Sequence, residues 1–169
     1  MARAQNTDFL QSFSFSLRDV TGTGDFGLEG DPFDFNGGES NGVGFTSVSG
    51  LVVQAETFQI SEGTFPFART FVRRASVSSV TLRRGMAGRD SDFYNWFHSS
   101  LYGYPDTRKN LLLTMNRRDG EPAKAWLLHD CIPVRVTCAP DLDATNQEIA
   151  IAELEIQPTY FEELAISES

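Results

Sequence analysis

The sequence has little of what builds staples, metal centres or membrane spans. Its 169 residues include two cysteines, Cys131 and Cys138, and two histidines. The odd separation of the cysteines places them on opposite faces of a continuous strand, so we predict neither a disulfide framework nor a redox pair. No apolar run approaches the ~18 residues of a membrane span, and the first residues lack the apolar segment of a secretion signal. We expect one soluble domain over residues 1–169, made in the cytoplasm without a signal peptide.

Basic residues are also scarce, with 14 Lys and Arg against 23 Asp and Glu. The net charge of −9 argues against a general nucleic-acid binder, because neutralising phosphates needs a positive surface. The charge is unevenly spread, since residues 1–60 sum to −6, residues 61–124 to +5 and residues 125–169 to −8. Such opposed blocks can pair within one chain, or they can join copies of the chain head to tail.

What the sequence does contain is the alternating pattern of β-strands. In segment 12–19 the apolar residues share one face, and serines lie on the other. Segment 45–60 carries apolar residues at both parities, so we expect both of its faces to be at least partly covered. A hairpin turn with an Asp-Gly signal is predicted at 118–120, a bent or edge-like strand at Pro133, and a change of apolar parity within segment 148–157. Further strands are predicted at 64–74, 76–85, 111–116 and 123–138.

One helix is predicted, at residues 91–103. Its apolar residues recur at helical spacing, so this face must cover a hydrophobic surface. The residues of that face are Phe93, Trp96, Phe97 and Leu101. About seven strands and one helix, without strand–helix alternation, predict a mainly β fold: an antiparallel two-sheet barrel or sandwich with one flanking helix.

The glycine-rich segment 21–44 contains the one motif that could indicate a bound dinucleotide cofactor. Gly22, Gly24 and Gly27 have the G-x-G-x-x-G spacing of a phosphate loop, but residues 28–32 contain Gly30 and Pro32 and cannot open the required helix. The segment holds eight glycines, five acidic residues and no Lys or Arg, which predicts a flexible acidic insertion. No cofactor is predicted.

Calcium is the other ligand that this acidic segment could bind. Its oxygen ligands would be Asp25, Asp31, Asp34 and Asn36. Their spacing matches no defined calcium loop, so a solvated loop is favoured and no metal is predicted.

Catalytic constellations are equally weak. His129 is followed by Asp130, but no G-x-S-x-G segment supplies a nucleophile, so both histidines are interpreted as structural or surface residues. Glu153 and Glu155 share a strand face, and the pattern favours contact with water, a lumen or an arginine over binding of a sugar. We predict that the protein is not an enzyme.

Arginines are concentrated in the middle of the chain. They are Arg69, Arg73, Arg74, Arg83, Arg84 and Arg89. With Phe67 and Phe71 between them they could form a groove for single-stranded nucleic acid. The overall acidity favours charge pairing within or between subunits instead.

Several stretches, in chain order, resemble the tail-tube family of contractile phages, which also supplies the inner tube of contractile injection systems. The matching segments run from about residue 9 to about residue 162 and are fairly specific as an ordered set. They are FTSVSGL at 45–51 with Glu56 after it, the Glu62-Gly63 turn, VTLRRG at 80–85, the aromatic helix, WLLHDCIPV at 126–134 and DLDATNQEIAIAELEI at 141–156.

The resemblance implies a noncatalytic subunit without cofactor. Six copies would close a ring, and rings would stack into a hollow tube that sheath contraction propels. Expected partners are the sheath, the baseplate and spike, tube-terminating proteins and possible lumenal cargo, with no nucleic-acid sequence recognition and no membrane insertion. The particle would be a phage tail or a released or membrane-anchored injection system. Contacts between subunits or rings are expected through Glu56, Glu62, Arg69, Arg73, Arg74, Arg83, Arg84, Glu153 and Glu155.

Two segments depart from or extend beyond the resemblance. The insertion at 21–44 is longer than the family's usual link, so the chain is either the main tube subunit or a variant at one end of the tube. The tail at 158–169 docks or trails. By family analogy the hairpin around residues 48–82 contributes to the ring barrel, with the helix outside it. The alternative function is a monomeric β-barrel that binds carbohydrate or lipid through Phe33 and Phe35.

Overall fold

A computed structural model describes residues 14–21, 44–85, 92–104, 107–117, 120–137 and 151–165. Within them the chain forms ten strands and one helix, so the prediction of a mainly β fold with one flanking helix is confirmed. The elements are β1 (Ser14–Asp19), β2 (Gly44–Phe45), β3 (Ser47–Ser49), β4 (Val53–Ile60), β5 (Arg69–Val77), β6 (Val80–Gly85), α1 (Asp92–Leu101), β7 (Lys109–Asn116), β8 (Pro122–Thr137), β9 (Ile151–Gln157) and β10 (Tyr160–Leu164).

Eight strands form the main sheet, in the antiparallel order β2-β1-β7-β8-β9-β6-β3, with β10 also paired to β8. The 16-residue strand β8 is shared between two parts of this sheet, because its first half pairs with β7 and its second half with β9. The change occurs at a bulge where Asp130 has a φ of 50° and its N–H donates to Asn110 Oδ1 at 2.9 Å. A further register shift follows Pro133, near the predicted bend.

The sheet curls until its two ends meet. Strands β2 and β3 lie at opposite ends of the strand order but are separated along the chain by Thr46 alone. The Thr46 N–H and hydroxyl donate to the Arg83 carbonyl at 2.9 and 3.0 Å, which fixes this crossing. Among the described strands, no ladder of pairing completes a closed barrel.

The core lies inside this curled sheet. It is built mainly from leucines that alternate inward along the strands, and the side chains of Leu82, Leu154 and Ile156 are fully buried. In β9 the even residues point inward while Ile151 is 41% exposed, so one parity holds through the described part of that strand.

Helix α1 covers one side of the core. Phe93 and Trp96 are each 4% exposed, and the Trp96 Nε1–H donates to the Thr107 carbonyl at 2.8 Å. Phe97 is only half-buried. Leu101, predicted for the same face, is 67% exposed, so that prediction is wrong. It lies eight residues after Phe93, which is two turns plus ~80° and therefore the edge of the apolar stripe.

Candidate functional site

The β4–β5 hairpin is the least covered part of the described chain. It forms a separate two-stranded sheet, and every residue from Val52 to Ser76 is exposed. The expectation that both faces of segment 45–60 are at least partly covered therefore fails for residues 52–60 of the isolated subunit, while residues 45–51 include buried and partly buried positions. A two-stranded hairpin alone is marginally stable in water, and large exposed apolar patches mark interaction sites. Its large apolar side chains, 42–72% exposed, are Val53, Phe58, Ile60, Phe65, Phe67, Phe71 and Val72.

A bulge sorts the hairpin's side chains onto its two faces. Glu56 pairs with Arg74 while Thr57 pairs with Val72, so Arg73 is the extra residue. The extra residue changes the parity of β5, because an inserted position turns every following side chain to the other face. Phe71 consequently shares a face with Phe58, and their rings stack with centroids 5.6 Å apart.

The tip of the hairpin is aromatic and basic. Phe65 and Phe67 make an edge-to-face pair with centroids 6.0 Å apart, and the Arg69 guanidinium lies 5.8 Å from the Phe65 ring centroid. A turn precedes them, in which the Phe65 N–H donates to the Glu62 carbonyl at 2.9 Å. Aromatic rings and arginine are the side chains enriched in protein interfaces.

Five of the predicted contact residues lie on this hairpin: Glu56, Glu62, Arg69, Arg73 and Arg74. The Arg73 Nη1 and Glu56 Oε1 atoms are 3.9 Å apart, with side chains 70% and 60% exposed. An ion pair this open to water contributes little to the stability of the subunit. The charged groups are thus available to a neighbour, and contacts through them stay a prediction.

The other four predicted contact residues lie on β6 and β9. Arg83 Nε and Glu153 Oε1 are 2.5 Å apart, and Glu155 Oε1 accepts from the Ser79 hydroxyl. Arg84 is 3% exposed, and its guanidinium carbon lies 3.9 Å from the Phe93 ring centroid. Burial leaves Arg84 little surface for a contact between subunits, so in the isolated subunit this residue departs from the other predicted contact residues.

The described residues offer little for catalysis. No group of three His, Cys, Asp or Glu residues in them could hold a metal ion. Burial, and then the nearby Asp130 and Asp19 carboxylates, raise the pKa of the Cys131 thiol to about 12, so at neutral pH it is not a nucleophile. His129 stacks on Tyr160 with ring centroids 4.2 Å apart. The Gly22–Gly27 motif, the candidate calcium ligands, Phe33 and Phe35 lie outside the described residues.

Sequence reasoning missed a second exposed aromatic surface, on the outer side of α1. Tyr94, His98 and Tyr102 recur at i, i+4 and i+8, with neighbouring ring centroids 5.8 and 4.5 Å apart. The sequence does contain the pattern that predicts this surface, because residues four apart lie on the same side of a helix. Tyr94, His98 and Tyr102 have that spacing, on the side of the helix away from Phe93 and Trp96. In the described part of the chain, α1 is also far too short and polar to cross a membrane.

Family comparison finds one match over most of the chain. The model of the family described as T4-like virus tail tube protein gp19 matches residues 31–162. No curated protein sequence matches the chain.

Several solved structures share the fold over nearly the full length. The anti-feeding prophage tube-terminating cap aligns with a TM-score of 0.74 at 19% identity, covering 98% of this chain and 100% of the cap protein. A chain of the PVC sheath–tube complex, an extracellular contractile injection system in its extended state, aligns at 0.71 with 20% identity, covering 96% and 95%. A chain of the 6-fold symmetrised anti-feeding prophage baseplate aligns at 0.68 with 20% identity, covering 95% and 97%.

Proposed function

The chain belongs to the T4-like virus tail tube protein gp19 family and is a structural tube subunit of a contractile phage tail or injection system, and we propose that six copies close each ring of that tube. Rings stack into a hollow tube, and contraction of the surrounding sheath drives the tube through a target envelope. The subunit performs no catalysis, since its task is to assemble. None of the comparisons supports the alternative of a monomeric carbohydrate- or lipid-binding module.

The observation that carries the proposal is the exposed hairpin. All residues from Val52 to Ser76 are exposed, yet Phe58, Phe71 and Val72 are the kinds of side chain that stabilise a core. Burying one such side chain against a neighbour contributes ~1.5–3 kcal/mol. A ring in which each hairpin packs on the next subunit covers this surface in every copy, whereas a monomer leaves it in water.

Charge supports a head-to-tail contact of this kind. The hairpin presents Arg69, Arg73 and Arg74, while β10 presents Glu162 and Glu163. Because these surfaces belong to different parts of one subunit, a contact between them is heterologous, and a heterologous contact closes into a ring when the rotation fits. The side chains of Glu162 and Glu163 are 57% and 55% exposed; within the chain Glu163 pairs with Lys124 at 2.8 Å, and Glu162 lies 3.7 Å from His129. A neighbour's arginine would add to these exposed pairs or replace them.

The proposed partners follow from the particles in which similar chains occur. A tube-terminating cap, a sheath–tube complex and a baseplate each contain a chain of this fold. We place the sheath around the tube, the baseplate and spike at one end and a terminating protein at the other, with any cargo in the lumen. The segment 21–44 would then contact a neighbouring protein on a ring face or the outer wall. The finished subunit belongs to a phage tail-like particle assembled in the bacterial cytoplasm.

Negative-stain electron microscopy of the purified protein tests the proposal. Rings with six-fold symmetry, or stacks of them, are expected as the protein is concentrated. Because nucleation is costly for a closed assembly, the measurement is repeated after co-expression with sheath and baseplate components from the same source. Particles that stay monomeric under both conditions would contradict the proposal.

A further inference from the structure

The base of the β4–β5 hairpin is joined to the main sheet by specific polar contacts, whereas the rest of the hairpin is exposed. The chain leaves the main sheet through residues 50–52 and returns through residues 78–79. Beside these two links runs β9, whose register places Glu155 opposite Thr81 and Ile156 opposite Val80. A rigid strand of the core therefore lies next to both points where the hairpin is attached.

Two β9 side chains bind the returning link. The Ser79 hydroxyl donates to Glu155 Oε1 at 2.5 Å, and a hydroxyl–carboxylate bond is among the stronger protein hydrogen bonds. The Gln157 side-chain amide donates to the Val77 carbonyl at 3.0 Å and to the Pro158 carbonyl at 3.0 Å. These partners lie on either side of Ser78, so the last residue of β5 and the link after it are both tied to the core.

The outgoing link is fixed by close backbone approach. Gly50 has a φ of +98°, and a Cβ added there would lie 2.1 Å from the Ser79 carbonyl oxygen. The Val52 N–H donates to the Gly50 carbonyl at 2.7 Å, and the Ser78 N–H donates to the Val52 carbonyl at 3.0 Å. Glycine is required here, because any side chain would push the two links apart.

From this geometry we propose that Glu155 and Gln157 are positioning residues that set the direction in which the hairpin leaves the core. The hairpin's residues from Val52 to Ser76 are exposed, so its angle is held by these bonds at its base together with a small contact between β5 and β10. Ring closure depends on that angle, since a heterologous contact closes into a ring only when its rotation fits and otherwise forms an open filament. Glu155 was predicted as a contact between subunits, and the inference assigns it a role within the chain instead. The consequence for ring closure rests on the proposed function, whereas the claim that these residues set the hairpin's direction does not depend on it.

The direction of the hairpin can be measured in the isolated subunit by electron–electron distance spectroscopy. One spin label is attached at Gly63→Cys, where an added side chain meets nothing within 4 Å, and another at the exposed Val134→Cys on β8. Cys138 is replaced by serine, and Cys131 is left in place because it is buried. The Ser79→Ala/Gln157→Ala double variant is expected to broaden the distance distribution about two-fold with little change in melting temperature, because a local equilibrium is loosened while the core is intact.

The matched control is Ser61→Ala/Gln54→Ala, which removes the same groups from the hairpin itself and should leave the distribution narrow. If the double variant unfolds, the two single variants are measured in its place and should broaden the distance distribution. Gly50→Ala is measured as well and should shift the mean distance between the labels. An unchanged distribution in the base variants, or equal broadening in the control, would overturn the inference. Wild-type protein that forms no rings would refute the proposed function, and the spin-label result would still decide the role of Glu155 and Gln157.

Discussion

The curled sheet and the β4–β5 hairpin are built from the same kinds of residue but meet water differently. In the sheet, Leu82, Leu128 and Leu154 are fully buried, whereas in the hairpin Val53, Phe58 and Phe71 are 42–54% exposed. Both regions are antiparallel and both carry apolar side chains on strands. The sheet buries its core within one chain, whereas we propose that another copy covers the hairpin. Apolar content alone therefore does not distinguish a core strand from an interface strand. What distinguishes them is whether a second layer of the same chain covers the apolar side chains.

The largest expected difference between the two regions is in the free energy of unfolding after one large side chain is truncated in each. Leu154→Ala leaves a cavity in the core and should lower the free energy of unfolding of the subunit by ~2–5 kcal/mol. Phe58→Ala removes only a half-exposed stacked ring and should cost about 1 kcal/mol or less. Urea unfolding of both variants under monomeric conditions measures this. Equal losses would show that the hairpin is already part of the folded core.

The same ring stack should matter when subunits associate. Phe58→Ser/Phe71→Ser removes two side chains that each contribute ~1.5–3 kcal/mol when buried, so the concentration needed for assembly should rise at least about ten-fold. Light scattering against protein concentration gives this value. Tyr94→Ser/Tyr102→Ser on the outer side of α1 is the matched control and should assemble as the wild type does. A control with the larger effect would move the interface to the helix.

Raised pH should weaken the sheet through Cys131. Its pKa is raised from 9.0 to about 12 by burial and by Asp130 and Asp19, so the folded state holds its proton more tightly than the unfolded chain. The stabilisation is complete below pH 9 and is lost as pH rises towards 12, by at most ~1.4 kcal/mol per pH unit.

The free energy of unfolding is measured at pH 8 and pH 10 for the wild type and for Cys131→Ala. The loss is the amount by which the wild type's free energy of unfolding falls, relative to that of the variant, between the two pH values. A cysteine introduced in the hairpin turn, Ser61→Cys, should add no such pH dependence. A difference that stays constant between the two pH values would show that the thiol is not held protonated.

Charge reversal on the hairpin should have the smallest effect. Arg73→Glu/Arg74→Glu should weaken assembly by about 0.2–1 kcal/mol for each lost pair and reduce its sensitivity to salt. Sedimentation of assemblies at increasing NaCl concentration follows both quantities. Arg108→Glu/Arg135→Glu changes the net charge equally, just before β7 and on β8, and serves as the control. If the hairpin variant assembled as well as wild type at low salt, charge complementarity would not contribute to the contact.

Much of the fold could be predicted from the sequence, because local pattern and turn chemistry act within one chain. Alternation predicted β1, the helical spacing predicted α1, and the Asp-Gly signal predicted the β7–β8 hairpin, in which Gly120 has a φ of 90°. The resemblance over about residues 9–162 indicated the family, which the match to the family over residues 31–162 confirmed.

The prediction failed where three-dimensional neighbours decide. Arg84 has the sequence context of a surface arginine, yet the Phe93 ring covers it, and no periodicity places those two residues together. The pattern of segment 45–60 predicts at least partial cover on both faces, but its second half is exposed among the residues that the structure describes. The tail beyond residue 158 was left open, and Tyr160–Leu164 in fact adds strand β10 beside β8. Each case depends on a contact distant in sequence.

Hydrogen–deuterium exchange on the free subunit and on assembled particles tests most directly whether the hairpin is completed by another copy. The Phe58→Ser/Phe71→Ser variant, kept below the concentration at which it assembles, supplies the monomeric reference. Backbone amides of Val53–Val77 should exchange fast in the free subunit and become protected on assembly, while those of β7 and β9 stay slow in both states. A hairpin that is equally protected before and after assembly, or that stays fast in the assembled particle, would contradict the account.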